Sequence, residues 1–204
     1  MNNNATTILL ASASPRRQQL LEQLGWPVRV QPVNIDETPF TGELPDVYCL
    51  RMAEEKAREA VRRMGGVMPV LASDTTVVLD QQILGKPDDA EHAAQMLRLL
   101  SGRNHQVMTA VSVGWQGQLE TVLSVNHVWF DELSEQRIRA YVASGEPMDK
   151  AGAYGIQGLA AQWISRIEGS YSAIMGLPLF ETTQLLNKGD IISPLDVLQT
   201  GSSH

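Results

Sequence analysis

A single cysteine, Cys49, occurs in this chain, so no intramolecular disulfide forms and a reducing compartment suits its chemistry. No apolar run approaches the roughly eighteen residues of a membrane-spanning helix. The opening Met-Asn-Asn-Asn-Ala-Thr-Thr lacks the basic and apolar segments of a secretory signal, so the expected location is cytoplasmic. Basic residues are outnumbered: 16 lysines and arginines stand against 23 acids, a net charge of −7 that argues against a nucleic-acid-coating surface. Any cationic cluster in such a chain reads as a pocket rather than a docking face. Also missing are a Walker A motif, the G-x-S-x-G elbow of serine hydrolases and any His/Cys cluster with metal-ligand spacing. The four histidines, His92, His105, His127 and His204, are scattered and read as surface or structural positions.

What remains is an ordinary globular composition, 43% hydrophobic, long enough to bury a sizeable core. Residues 8–21 carry the strongest local signal. An apolar run, Ile8-Leu9-Leu10, breaks into Ala11-Ser12-Ala13-Ser14; Pro15, Arg16 and Arg17 follow, and a helical period begins with Leu20, Leu21 and Leu24. This reads as a buried strand, a tight loop and a helix start, with Ser14 at the N-cap and Pro15 at the first helical position. The positive end of a helix dipole favours acids, yet two arginines stand there. Two readings fit. A phosphate is drawn to the free N–H groups and both cations, or the helix is simply capped and its arginines are solvated.

Downstream, residues 28–33 alternate as a strand and lead to the acidic turn Asn34-Ile35-Asp36-Glu37-Thr38-Pro39. A long helix is expected from Asp46, its cap, to about Met64, closed by Gly65-Gly66. Residues 69–73 form a short apolar strand that 77–79 continue, and Gln81-Gln82 turns the chain back through Ile83-Leu84. Cys49, inside the helical run, reads as a small core residue. A helix over 89–100, two long strands within 106–130 joined at Gln116-Gly117-Gln118, and a helix over 135–144 capped by Ser134 come next. The stretch 149–158 reads as a loop, followed by a strand over 163–167 and a helix over 178–187. No repeat, low-complexity tract or linker divides the chain. The pattern predicts an α/β fold with a mixed sheet, any two lobes sharing one cleft.

Asp74, in Ser73-Asp74-Thr75-Thr76, follows a buried apolar strand, where a carboxylate is costly unless paired or holding a metal. It either holds a divalent cation and orients water, or caps a turn between two strands. Glu37 offers a second carboxylate from a turn that by default is exposed. Lys56, in Glu54-Glu55-Lys56, matches the solvated charge pattern of a helix face. Lys86 is presented rigidly between Gly85 and Pro87, as a point charge for phosphate. The glycines at 152, 155 and 158 let backbone approach a ligand, and the Gln157 amide offers a donor and an acceptor to a nucleobase edge. Their spacing is not that of a dinucleotide fingerprint. Together these residues form a kit for metal-assisted attack on a polyphosphate.

The motifs Ser12-Ala13-Ser14-Pro15-Arg16-Arg17, Ile35-Asp36-Glu37, Glu55-Lys56-Ala57, Ser73-Asp74-Thr75, Gly85-Lys86-Pro87, Ser144-Gly145-Glu146-Pro147 and Lys150-Ala151-Gly152-Ala153-Tyr154-Gly155-Ile156-Gln157-Gly158 stand in the order seen in Maf-like proteins. Gly169-Ser170-Tyr171 and Gly176-Leu177-Pro178 extend the resemblance over about residues 7–187. It implies an inosine triphosphatase-like fold, an elongated mixed sheet with flanking helices and a deep cleft between two lobes. The chain then divides into a disordered start, 1–6, a catalytic domain, 7–190, and a tail, 191–204. The implied activity is hydrolysis of a nucleoside triphosphate at its α–β anhydride, with a divalent metal, magnesium or manganese and in some settings cobalt. The loop ending in Gln157-Gly158 is similar to the branch acting on dTTP and UTP, rather than the sister branch preferring 7-methyl-GTP. A non-catalytic nucleotide-binding regulator of cell division is the competing expectation, and Maf-like proteins are often homodimers. Carried over by position, Asp74 is the general base; Arg16, Thr75 and Gln157 govern substrate choice. Ser12, Ser14, Arg17, Lys56 and Lys86 line the phosphate pocket, and Glu37 with Asp74 holds the metal. Ala13 and Ser73 replace residues that are commonly glycine, or alanine or glycine, in the family; both remain small. In this picture Gln157, the threonines and a backbone group read a pyrimidine edge, and cytosine, with an amine in place of O4, leaves groups unpaired.

Overall fold

Ile8, Leu9 and Leu10 have no exposed surface, as expected of a strand covered on both faces, and form β1 (Ile8–Leu10). The computed structural model describes residues 5–191 and 193–195; the expected segments 1–6 and 191–204 lie largely outside the described residues. Burying each of these three side chains contributes roughly 1.5–3 kcal/mol. β1 pairs in parallel with β2 (Val28–Val30) on one side and with the start of β3 (Val70–Leu79) on the other. Parallel pairing needs crossovers, supplied by α1 (Pro15–Gln23) and α2 (Pro45–Met64).

β3 runs without a break through Asp74, because its far edge pairs with β5 (Asn104–Trp115) from Val70 to Val78. The turn expected at Asp74 is therefore absent. The reversal comes one residue earlier than predicted, at Asp80-Gln81, whose φ values of 50° and 65° suit a two-residue hairpin into β4 (Gln82–Leu84). β5 pairs along its whole length with β6 (Gln118–Phe130), and β7 (Ile164–Glu168) closes that edge. The seven-stranded mixed sheet has the order β2-β1-β3-β5-β6-β7, with β4 attached to β3.

One feature of this topology places the site. β1 covers β3 only at Val70 and Leu71, and β4 covers it only from Val77 onward. Between them, residues 72–76 have an open edge in the middle of the sheet.

Helices pack on both sides of that gap. α1 and α6 (Leu179–Lys188) bury Leu20, Leu21, Leu185 and Leu186 against Ile8, Leu10 and Leu71. On the other side, α3 (Ala90–Leu100) and α4 (Glu135–Ala143) bury Leu97, Leu100, Ile138 and Tyr141 with Val107 and Val128. Asp89 and Ser134 cap these two helices, accepting the His92 and Arg137 N–H groups at 2.8 and 3.3 Å. Asp46 does not cap α2. Leu44 takes that position because Pro45, with its preset φ, starts the helix, and Asp46 falls in the first turn where the dipole favours an acid. The stretch read as a loop, 149–158, contains one short 3-10 turn, Ala151–Ala153; a second, Glu146–Asp149, leads into it, and a third, Leu159–Trp163, follows. The one-turn helix α5 (Tyr171–Ile174) escaped the periodicity, being shorter than a helical repeat can show. No helix among the described residues is long and apolar enough to cross a membrane.

His105 is buried, as a structural histidine, with its Nε2 2.7 Å from the Tyr154 hydroxyl and its ring edge-on to Phe130 and Tyr154. Its Nδ1 has no hydrogen-bond partner. Burial, and secondarily His127, pushes its pKa from 6.5 down to about 4. The folded state thus holds a neutral imidazole that the unfolded chain protonates. The resulting stability is complete above pH 6.5 and is lost as pH falls toward 4, a total of about 3 kcal/mol. Urea midpoints at pH 7 and pH 4.5 should fall further in the wild type than in His105→Gln; equal falls would show that His105 titrates normally.

Candidate active site

The cleft opens where β3 lacks a neighbour, with a volume of about 1130 Å³. Its floor is β3 itself. Strand alternation sends Asp74 and Thr76 to the face covered by α2, and Thr75 to the face covered by α1 and α5. The β1–α1 loop brings Ser12 and Ser14, and the first turn of α1 brings Arg16 and Arg17, to one wall. Glu37 enters from the turn after β2, Lys56 from α2, Lys86 from the loop after β4, and Gln157 from the glycine-rich segment. All the side chains singled out in the sequence therefore line one cleft.

Lys56 is not a solvated helix residue. Its ammonium lies 2.7 Å from Asp74 Oδ1 and 2.8 Å from Glu37 Oε1. The Lys56 and Asp74 side chains are only 11% and 12% exposed, whereas Glu37 is 54% exposed at the mouth. The other Asp74 oxygen, Oδ2, accepts the Thr76 hydroxyl at 3.2 Å. Beneath, the buried Cys49 thiol lies 3.6 Å from the Asp74 carbonyl oxygen and 3.5 Å from that of Met108. Burial first, then the Asp74 charge, pushes the thiol pKa up to about 12, so it stays protonated.

On the opposite face Arg17 spans three elements. It donates to the Gly176 carbonyl at 2.8 Å, to Ser12 Oγ at 3.2 Å and to Thr75 Oγ1 at 3.1 Å. None of these acceptors is charged, and two of the five guanidinium N–H groups remain for an anion. Burial pushes its pKa below the ordinary arginine value, against the pull of Asp74, and the like charge of Arg16 adds to the push. Gly176 accepts Ser73 Oγ as well, at 2.9 Å, and its φ of +114° is one that side chains rarely adopt. Ser14 starts α1, but its side chain makes no capping bond and the first turn holds no acid, which leaves those N–H groups to a ligand.

Several supporting residues carried no signal in the sequence. Arg51 grips Glu43 through two bonds, 2.6 and 2.7 Å, reaches the Thr38 carbonyl at 3.1 Å and lies over the Phe40 ring. Tyr48 donates to the Glu37 carbonyl at 2.9 Å. These contacts fix the turn that carries Glu37, yet their partners lie eight to thirteen residues away, where no helical or strand spacing connects them. Thr109 donates to the Ala173 carbonyl at 2.7 Å and sits 3.2 Å from Thr75 Oγ1. Only the strand pairing Thr75↔Thr109 reveals that contact.

A family model described as Maf-like protein matches residues 7–189. The chain is 50% identical over 195 residues to a dTTP/UTP pyrophosphatase of Methylobacillus flagellatus, covering 95% of this chain and 98% of that protein. It is 50% identical to the dTTP/UTP pyrophosphatase of Vibrio cholerae, with 89% and 97% covered, and 52% identical to that of Salmonella typhimurium, with 89% and 92% covered. Among solved structures, a nucleoside-triphosphatase (dITP/XTP pyrophosphatase) from Mycobacterium abscessus aligns at 20% identity with a TM-score of 0.46, over 90% of this chain and 94% of that one.

The donor set fits a hard divalent cation. Two carboxylates already converge on one positive point, the Lys56 ammonium, and both offer oxygen. No group of three or more His, Cys, Asp or Glu side chains that could hold a metal occurs among the described residues. The protein thus offers two carboxylates, and phosphate oxygens and water complete such a shell, as magnesium sites commonly require. Lys56→Met should destabilise the fold by about 2–3 kcal/mol, less than a fully buried pair because water reaches Glu37. Millimolar magnesium should then raise the melting temperature of the variant more than that of the wild type. Equal shifts would remove Glu37 and Asp74 as the cation site.

Proposed function

The chain belongs to the Maf-like family, and on that premise we propose that it hydrolyses dTTP and UTP to the nucleoside monophosphate and pyrophosphate. One observation carries the reading: a carboxylate, Asp74, stands on the open edge of the sheet between a paired lysine and a wall of arginines. A reaction at a polyphosphate needs little covalent help from the protein; it needs charge held in place and a positioned water.

Arg16, the two free N–H groups of Arg17, Lys86 and the start of α1 would bind the phosphate chain. Ser12 and Ser14 would donate hydroxyl bonds to it. Asp74, held by Lys56 and Thr76, would accept the proton of a water that adds at phosphorus of the α–β anhydride. The new P–O bond forms as the bridging P–O bond breaks, and pyrophosphate leaves. A divalent cation held by Glu37 and Asp74, magnesium or manganese by its oxygen donors, would neutralise phosphate charge and polarise the phosphoryl oxygen. Lys56 also keeps the two carboxylates together between turnovers.

Gln157 faces the cleft from the loop after Tyr154, and no other protein group binds its amide among the described residues. An amide and a main-chain group match the O4 and N3–H edge that uracil and thymine share. Cytosine reverses that pattern, and a buried mismatch of this kind discriminates well.

Purified protein with magnesium or manganese should therefore release dTMP or UMP together with pyrophosphate, with CTP turned over at least about tenfold more slowly. Asp74→Asn should bind nucleotide as before and lose at least about a hundredfold in kcat. Orthophosphate as the product would make this a different hydrolase. Preference for 7-methyl-GTP would place it in the sister branch, and binding without turnover would make it a regulator.

A further inference from the structure

Gln157 occupies the third position of a tight turn, Gly155-Ile156-Gln157-Gly158, closed by the Gly158 N–H donating to the Gly155 carbonyl at 3.0 Å. Ile156 is buried beneath the turn, and Gln157 is exposed to the cleft. One carboxylate ties both ends. Glu146 accepts the Leu159 N–H on Oε2 at 3.0 Å and the Tyr141 hydroxyl on Oε1 at 2.9 Å. The same hydroxyl oxygen accepts the Gly155 N–H at 3.3 Å. The amides flanking the turn, at 155 and 159, thus lead back to a single side chain.

The approach is close. A side chain at Gly158 would run into the Glu146 carboxylate, and one at Gly155 would meet the Lys150 stem at 2.8 Å. A side chain at Gly158 would thus displace the Glu146 carboxylate from the Leu159 N–H, whereas at Gly155 the flexible Lys150 stem would have to shift. Tyr141 is itself held, its ring edge-on to Trp163 at 4.9 Å. Burial and the Glu146 bond raise its phenol pKa, so it remains a donor at neutral pH. Ser144 accepts the Glu146 N–H at 3.2 Å, and Gly145 has a φ of +75°, which together aim Glu146 at the turn.

We propose that Glu146, acting directly on the Leu159 N–H and through Tyr141 on the Gly155 N–H, is the positioning residue that sets Gln157 for base selection. This rests on the reading of Gln157 under Proposed function. A carboxylate suits the position because each of its two oxygens accepts; a glutamine in its place accepts at one atom only, so the Tyr141 hydroxyl loses the charged acceptor that orients it towards the Gly155 N–H.

The test is a comparison of kcat and KM for UTP and CTP in the wild type, Glu146→Gln, Tyr141→Phe, Gln157→Ala and the Glu146→Gln/Gln157→Ala double variant. In Glu146→Gln and Tyr141→Phe the preference for UTP over CTP should fall about tenfold, mostly through a higher KM for UTP. In the double variant, Glu146→Gln should change the preference no further, since there is no amide left to position. Tyr141→Phe keeps the ring against Trp163, so it reads the effect even if Glu146→Gln folds poorly. Equal losses on both nucleotides, or additive effects in the double variant, overturn the assignment and leave Glu146 a stabilising residue. A wild type that does not prefer UTP overturns the reading of Gln157 itself, and the positioning role with it; that result is visible before any variant is made.

Discussion

Strand β3 has one edge fully paired and the other paired only at its ends, and the site follows from that asymmetry. A strand held by β5 along its length cannot sag into the gap left by its other neighbours. The gap therefore stays open as a rigid slot in the sheet, not as a flexible loop. Side chains alternate across it, so Asp74 and Thr75, adjacent in sequence, serve opposite walls. One strand supplies a carboxylate paired with Lys56 on one face and a hydroxyl that holds Arg17 on the other.

The electrostatics follow the same division. On the α2 face, one ammonium is shared by a nearly buried carboxylate and a half-exposed one. On the α1 face, a guanidinium is held by three neutral oxygens and carries its charge into the slot with no carboxylate bonded to it among the described residues. Placing the unpaired cation and the paired carboxylate on opposite walls of a rigid slot polarises the space between them. That field costs no reorganisation when an anionic substrate arrives. The net negative charge of the chain keeps the positive potential local.

Much of this was legible in the residues. The run Ile8-Leu9-Leu10, followed by small residues and Pro15, fixes a strand and a helix start, because burial on both faces and the missing proline N–H act locally. Asp89 and Ser134 announce their helices for the same reason. The Lys56 ion pair was not legible. Glu54-Glu55-Lys56 looks alike on a solvated helix and on one packed against a sheet, and the partner that decides lies 18 residues away. The open edge of β3 was equally hidden, since the polar run Ser73-Asp74-Thr75-Thr76 fits a turn between two short strands as well as a continuous strand with an uncovered edge. The break belongs to its neighbours, each only three residues long. Thr109 and Arg51 act through tertiary contacts that leave no periodic trace.

Cys49 lies beneath the same strand, fully buried, with its sulfur near the Asp74 and Met108 carbonyl oxygens and its proton retained by burial. Neither alkylating reagents nor peroxide can reach a thiolate there while α2 stays on the sheet. The folded enzyme is accordingly insensitive to thiol chemistry. Labelling of its one thiol instead becomes a clock for the opening of the helix–sheet seam, reporting the local stability of the cleft floor without any engineered probe.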